Sequence, residues 1–233
     1  MLKRTISTEI RKNYLPFSEM GLTLIECLVA IIVIALTTAT IAPVMLFTVA
    51  TRIQNQKVEQ ALQLAQGEID KVRLTVEQGG DYGDRLQELS VIASTASTAV
   101  VIPAPTAFVA NASTSVNAVT DARRIDLDGD GDTDFAVQLF RTTGIEVAAE
   151  ATGAASTPVA FEVGARVYDA RAEDNLGALL SDEASLTFTS GDGQRSSRPL
   201  AVLYSQITQG DREGALCQYW EYTGSTPTSL LCN

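Results

Sequence analysis

The stretch Gly21-Leu22-Thr23-Leu24-Ile25-Glu26-Cys27-Leu28-Val29-Ala30-Ile31-Ile32-Val33-Ile34 decides how the chain is read. Its apolar character continues to Ala50, and Glu26 is the only charged residue between Leu22 and Ala50. At about 1.5 Å of rise per residue, a helix of this length can cross a hydrocarbon core of roughly 30 Å, so one membrane span over 22–50 is predicted. A carboxylate inside such a span costs roughly 2.5–3.5 kcal/mol near the bilayer centre and less near its edge, so Glu26 needs a partner. The plain alternative is an interfacial carboxylate that snorkels to water.

Upstream, residues 1–20 are polar and mixed, with Lys3, Arg4, Arg11 and Lys12 against Glu9 and Glu19. This is a cytoplasmic, positive-inside flank. An ordinary secretory signal has a short polar region and a brief apolar region that is discarded at a small-residue cut. Here the polar region is long and the carboxylate sits at the apolar border. In order and spacing, Gly21 through Ile34 resembles the leader junction of type IV prepilins and type II secretion pseudopilins.

That resemblance implies cleavage after Gly21 by a prepilin peptidase and N-methylation of Leu22, with 1–21 as the removed leader. Glu26, fifth in the mature chain, would neutralise the amine of a neighbouring subunit, since opposite charges attract strongly at low dielectric. It would thereby set the register of assembly. The first mature residue is Leu rather than the more usual Phe or Met, and Cys27 stands where an aliphatic is more common. The implied location is the inner (cytoplasmic) membrane, crossed once with the head outside the cytoplasm, and then a periplasmic or cell-surface filament. The implied partners are the peptidase, other pilin or pseudopilin subunits and the inner-membrane assembly platform. From Gly21 through Ala65-Gln66-Gly67-Glu68-Ile69-Asp70 the chain also resembles the cyanobacterial pseudopilins of hormogonium polysaccharide secretion.

Pro43 falls inside the predicted helix and leaves the carbonyl of Ala39 without its usual donor. It reads equally as a point where helicity is lost in a filament and as a tolerated membrane-helix proline. Thr37, Thr38 and Thr40 are placed to satisfy freed backbone groups. Beyond the span, Val58, Leu62, Ala65, Ile69, Val72 and Val76 recur at three- and four-residue steps, with Lys57, Glu59, Glu68, Asp70 and Lys71 mostly off that stripe. Gly79-Gly80 then ends the helix. The expected element runs from about Leu22 to Glu77 and is roughly 80 Å long. Its amphipathic continuation over 51–80 needs a domain to pack on.

The remainder, 81–233, is predicted to be a β-rich head outside the membrane. Residues 90–120 and 148–158 are rich in small residues and read as loops, the first with room for short strands. The segments 135–141, 161–169, 185–189 and 200–207 mix β-branched and aromatic residues between Gly, Asp or Ser clusters and read as strands. The fold class is α+β, with a long N-terminal helix on an antiparallel sheet, as in type IV pilins.

Between the 90–120 stretch and the first of these strand segments lies Asp126-Leu127-Asp128-Gly129-Asp130-Gly131-Asp132-Thr133-Asp134. Alternating carboxylates around a glycine turn suit calcium, which takes six to eight oxygens in flexible geometry. The pattern D-x-D-x-D-G-x-x-D gives Asp126, Asp128, Asp130 and Asp134 as side-chain ligands and Asp132 as a backbone ligand. Position twelve is Val137 rather than a bidentate Glu, and the expected flanks are strands, so an EF-hand is not expected. A bare acidic turn is the alternative.

The net charge of −11 argues against a nucleic-acid partner, which needs clustered Lys and Arg. The chain has no histidine, the usual base near neutral pH and a common metal ligand, so an enzyme is not expected. No paired nucleophile and base stands out, and Asp169, Glu173 and Asp174 read as a solvated turn. Of the three cysteines, Cys27 lies in the apolar run and Cys217 and Cys232 near the C-terminus. The last two either pair or remain buried thiols; export, and the C-terminal loop of many pilin heads, imply a disulfide.

Overall fold

The computed structural model describes residues 21, 23–80, 82–111, 115–147, 157–185, 191–209 and 223–224. The chain divides into two compact units, Met1–Ala50 and Thr51–Asn233. Helix α1, Leu24–Glu77, contributes 24–50 to the first and 51–77 to the second.

In the first unit the helix leaves its large apolar side chains exposed, among them Leu24, Ile31, Leu36, Met45 and Phe47. It is the one helix among the described residues long and apolar enough to cross a membrane, and it fits a membrane anchor or a signal sequence equally. Pro43 lies inside it. The threonine hydroxyls donate upstream, Thr37 and Thr38 to the Ile34 carbonyl and Thr40 to that of Thr37, rather than to Ala39.

In the second unit α1 buries Ala61, Ala65, Glu68, Ile69, Val72 and Val76. Leu62, placed on the apolar stripe by its spacing, is 40% exposed. The small side chain of Ala61 takes its place against the sheet, while Ala65, Ile69, Val72 and Val76 are buried as the spacing predicts and Val58 packs against the same core. Gly79 and Gly80, at φ +68° and +70°, end the helix in the left-handed conformation open to glycine. Helix α2, Gly83–Glu88, follows. Tyr82 just before it is buried, and its hydroxyl donates to the Pro158 carbonyl.

Among the described residues the sheet has seven strands: β1 Ile92–Ser94, β2 Ala107–Val109, β3 Asp121–Ile125, β4 Phe135–Thr142, β5 Ile145–Val147, β6 Thr157–Asp169 and β7 Ala201–Thr208. Its path is β2-β3-β4-β6-β5, with β1 beside β4 and β7 beside β6. The pairs β3–β4, β4–β6, β5–β6 and β6–β7 are antiparallel, whereas β1–β4 and β2–β3 are parallel. The sheet is therefore mixed rather than antiparallel throughout. Long connections make this allowable, because parallel neighbours need a crossover rather than a tight turn. Strands β1, β2 and β3 all come from the stretch before the acidic loop, and 157–158, read as loop, belong to β6. Most of the proposed strand at 185–189 lies outside the described residues.

Side-chain alternation divides the interior into two layers. Phe135, Val137 and Leu139 of β4, with Phe161, Val163, Ala165 and Val167 of β6, pack with α1 on the front face. On the back, Phe140 meets Ala99 and Ile102, while Ala136 and Tyr168 meet Phe108 and Ala172. The 90–120 stretch thus covers the second face of the sheet, which is why β6 is buried almost throughout.

Candidate functional site

The N-terminal junction is built by Thr23. Its carbonyl accepts from the N–H groups of Glu26, at 3.0 Å, and Cys27, at 3.2 Å, while its hydroxyl oxygen accepts from Glu26 N–H at 3.3 Å. Thr23 is thus the N-cap of α1, and Thr23-Leu24-Ile25-Glu26 has the spacing of a capping box. Gly21 is exposed and outside the helix; Leu22 lies outside the described residues. The Glu26 side chain is exposed in the first turn, where the helix dipole favours an anion. Its carboxylate therefore has a local role as well as the one expected from the leader resemblance. Cys27 is exposed and not in a disulfide, and Cys217 and Cys232 lie outside the described residues.

The acidic turn joins β3 to β4 and is closed at its neck by Asp134 N–H on the Ile125 carbonyl, 3.0 Å. Asp126 holds the turn from inside, accepting from Gly129 N–H at 2.6 Å and Gly131 N–H at 2.9 Å. Asp128 accepts from Asp130 N–H and Asp130 from Asp132 N–H, each two residues on. The two glycines sit at φ +80° and +96°. This winding brings oxygens of Asp126, Asp128 and Asp130 within 4.8 Å of one another, a spacing that could hold a metal ion. Asp132 and Asp134 contribute no carboxylate to that group; Asp134 accepts from Leu127 N–H at 2.8 Å.

Several polar residues important to the head were not legible as such. Asp169, read as part of a solvated turn, is 1% exposed. It caps the 3₁₀ turn Ala170–Asn175 by accepting from Arg171 N–H, and it is paired with Lys57 at 3.4 Å and Arg171 at 3.1 Å. Burial alone would raise the Asp169 pKa, but the hydrogen bonds from Arg171, with the charges of Lys57 and Arg171, hold it below the usual carboxylate range. Glu173, by contrast, is exposed and pairs with Arg124. Burial also pushes the Tyr168 phenol well up, and its hydroxyl donates to the Leu180 carbonyl at 2.9 Å.

Arg166 is fully buried on the back face. It donates to the carbonyls of Ala99, Val100, Ile102 and Pro103, to Gln138 Oε1 and to the Tyr204 hydroxyl, and its guanidinium lies 4.8 Å from the Phe140 ring centroid. Gly164 makes room for that ring: a Cβ there would stand 2.4 Å from Phe140 Cε2. Arg166 is a structural clamp, and among the described residues no carboxylate pairs with it. The strand periodicity places it beside Gly164 and Tyr168 on one face, but only the cover from 90–120 makes that face interior. A scan of protein-family models, of curated proteins and of solved structures finds no match to the chain.

Proposed function

We propose that the chain is a structural minor pilin or pseudopilin, a subunit of a type IV pilus-like or type II secretion-like filament, cut after Gly21 and N-methylated at Leu22. The observation that carries this reading is the junction itself: a lone carboxylate, Glu26, in the first turn of an apolar helix that starts just past Gly21. Leu22 would become the cationic end and Glu26 its counter-charge on a neighbouring subunit, with 24–50 packed in the membrane and then in the filament core. The work is assembly rather than catalysis, within the inner membrane and beyond it. It involves the prepilin peptidase, sister subunits and the assembly platform, and polysaccharide secretion and motility are the processes the narrower resemblance suggests. The decisive measurement is the mass of the N-terminal peptide of the protein from native membranes. A methylated Leu22 is expected; an intact Met1, or a start beyond Ala50, overturns the reading.

A second reading, a calcium-dependent adhesin or binding module at a filament tip, is favoured by the three converging carboxylates of Asp126, Asp128 and Asp130. Three close anions repel unless a cation or water screens them, and calcium is the hard cation suited to such oxygens. Calcium should slow proteolysis at 126–134 and chelation should restore it. Equal cleavage with and without calcium removes the metal from the account.

A further inference from the structure

Among the described residues four strands pair on one side only, and three of them, β1, β2 and β5, are three residues long, a length that discourages pairing with another chain. The fourth, β7, has eight residues, Ala-Val-Leu-Tyr-Ser-Gln-Ile-Thr, with no charge, proline or glycine to blunt its edge. Gln209 N–H donates to the Val159 carbonyl at 2.8 Å, one step past the pair Ala160↔Thr208. Because bonded and non-bonded pairs alternate in an antiparallel ladder, the odd-numbered residues of β7 bond to β6. The N–H and C=O groups of Val202, Tyr204 and Gln206 therefore face outward, and no described residue hydrogen-bonds to them.

A hollow flanks this edge on each face of the sheet. The front one, about 310 Å³, lies between Gln66, Ile69 and the ion-paired Asp70 and Arg73 of α1 and Leu203 and Ser205 of β7. The back one, about 300 Å³, lies between Val100, Glu162, Tyr204 and Gln206. An added strand sends alternate side chains to opposite faces, so it would fill both hollows while its backbone completes the outward hydrogen bonds. Glu162 gives the back hollow a carboxylate, and Val100, 62% exposed, gives it an apolar wall.

We infer that the edge of β7 is a strand-addition site for an extended segment of a different protein, apolar toward Leu203 and carrying Lys or Arg toward Glu162. A second copy is a poor occupant, because two chains of charge −11 repel and each would bring another Glu162 to the same edge. This inference stands apart from the filament reading, since it rests on the sheet edge alone.

The test places a photo-crosslinking benzoylphenylalanine at Gln206 of the full chain in its native cells, with the joined peptides sequenced by mass spectrometry. The expected product is an extended segment of another protein with alternating apolar and basic residues. Val202→Pro removes one outward N–H without touching the bonds to β6, and should lower that product about tenfold at an unchanged melting temperature. Glu162→Gln keeps the acceptor for Ala99 N–H and should lower it several-fold through lost charge alone. Crosslinks to residues 210–233 of the same chain, to β7 of a second copy, or to no protein overturn the inference, as does a product that survives both substitutions.

Discussion

At the scale of single residues, the head is held by polar groups in places that ordinarily exclude them. Arg166 spends its donors on backbone carbonyls from 99 to 103, and so fastens a stretch that has little regular structure of its own. Asp169 does the equivalent three residues on, at the C-terminal end of β6, joining Lys57 of α1 to the turn at Arg171. Its folded pKa lies below the unfolded value of roughly 3.9, so the stability it contributes is complete above that value and is lost as pH falls through the lower folded one. Asp169→Asn should therefore cost about 1–3 kcal/mol at neutral pH, a range lowered because Lys57 and Arg171 are half-exposed, and the cost should shrink in acid. Chemical denaturation of both proteins across pH 2–7, a span chosen around the usual carboxylate pKa, measures this directly. A constant difference over that range would assign the effect to packing.

At the scale of elements, the question is what fixes the outer part of α1 on the sheet. Apolar contact comes from Ile69, Val72 and Val76, with Ala61 and Ala65 allowing close approach. Register comes from Glu68, 3% exposed, which reaches Arg123 of β3 at 3.0 Å and Lys71 of its own helix at 2.8 Å. Removing one member of a buried pair leaves the other uncompensated, whereas replacing both by apolar groups is close to neutral. Glu68→Leu should cost roughly 2–3 kcal/mol, and Glu68→Leu with Arg123→Leu should recover most of it in equilibrium unfolding. The existence and end of α1 were legible from hydrophobic run, periodicity and Gly79-Gly80. Most of its buried stripe was legible too, Ala65, Ile69, Val72 and Val76 among it; the exchange of Leu62 for Ala61 was not, because the two differ by one position and only the sheet decides which of them faces inward.

At the scale of the whole molecule, the two units differ in what they ask of their surroundings. Every buried apolar residue of the described core lies at Ala61 or later, while the large apolar residues of 24–50 are exposed. A chain beginning at Thr51 should accordingly fold and unfold cooperatively as a soluble domain, with a melting temperature within a few degrees of the full chain's, whereas the full chain should partition into detergent. Loss of cooperative unfolding in the shorter chain, read by circular dichroism, would show that the first unit supplies part of the core.

The sequence by itself determined the elements whose signals are local. The apolar helix needs only composition over a long run, β4, β6 and β7 need only β-forming residues between turns, and the winding of 126–134 needs only Asp and Gly at set spacings. The tertiary structure decided whatever depends on distant partners. The parallel placement of β1 and β2 and the burial of Glu68, Arg166 and Asp169 follow from which face is covered and which strand lies alongside. A charged side chain reads as solvated until the chain that covers it is known, because burial is a property of neighbours far away in sequence.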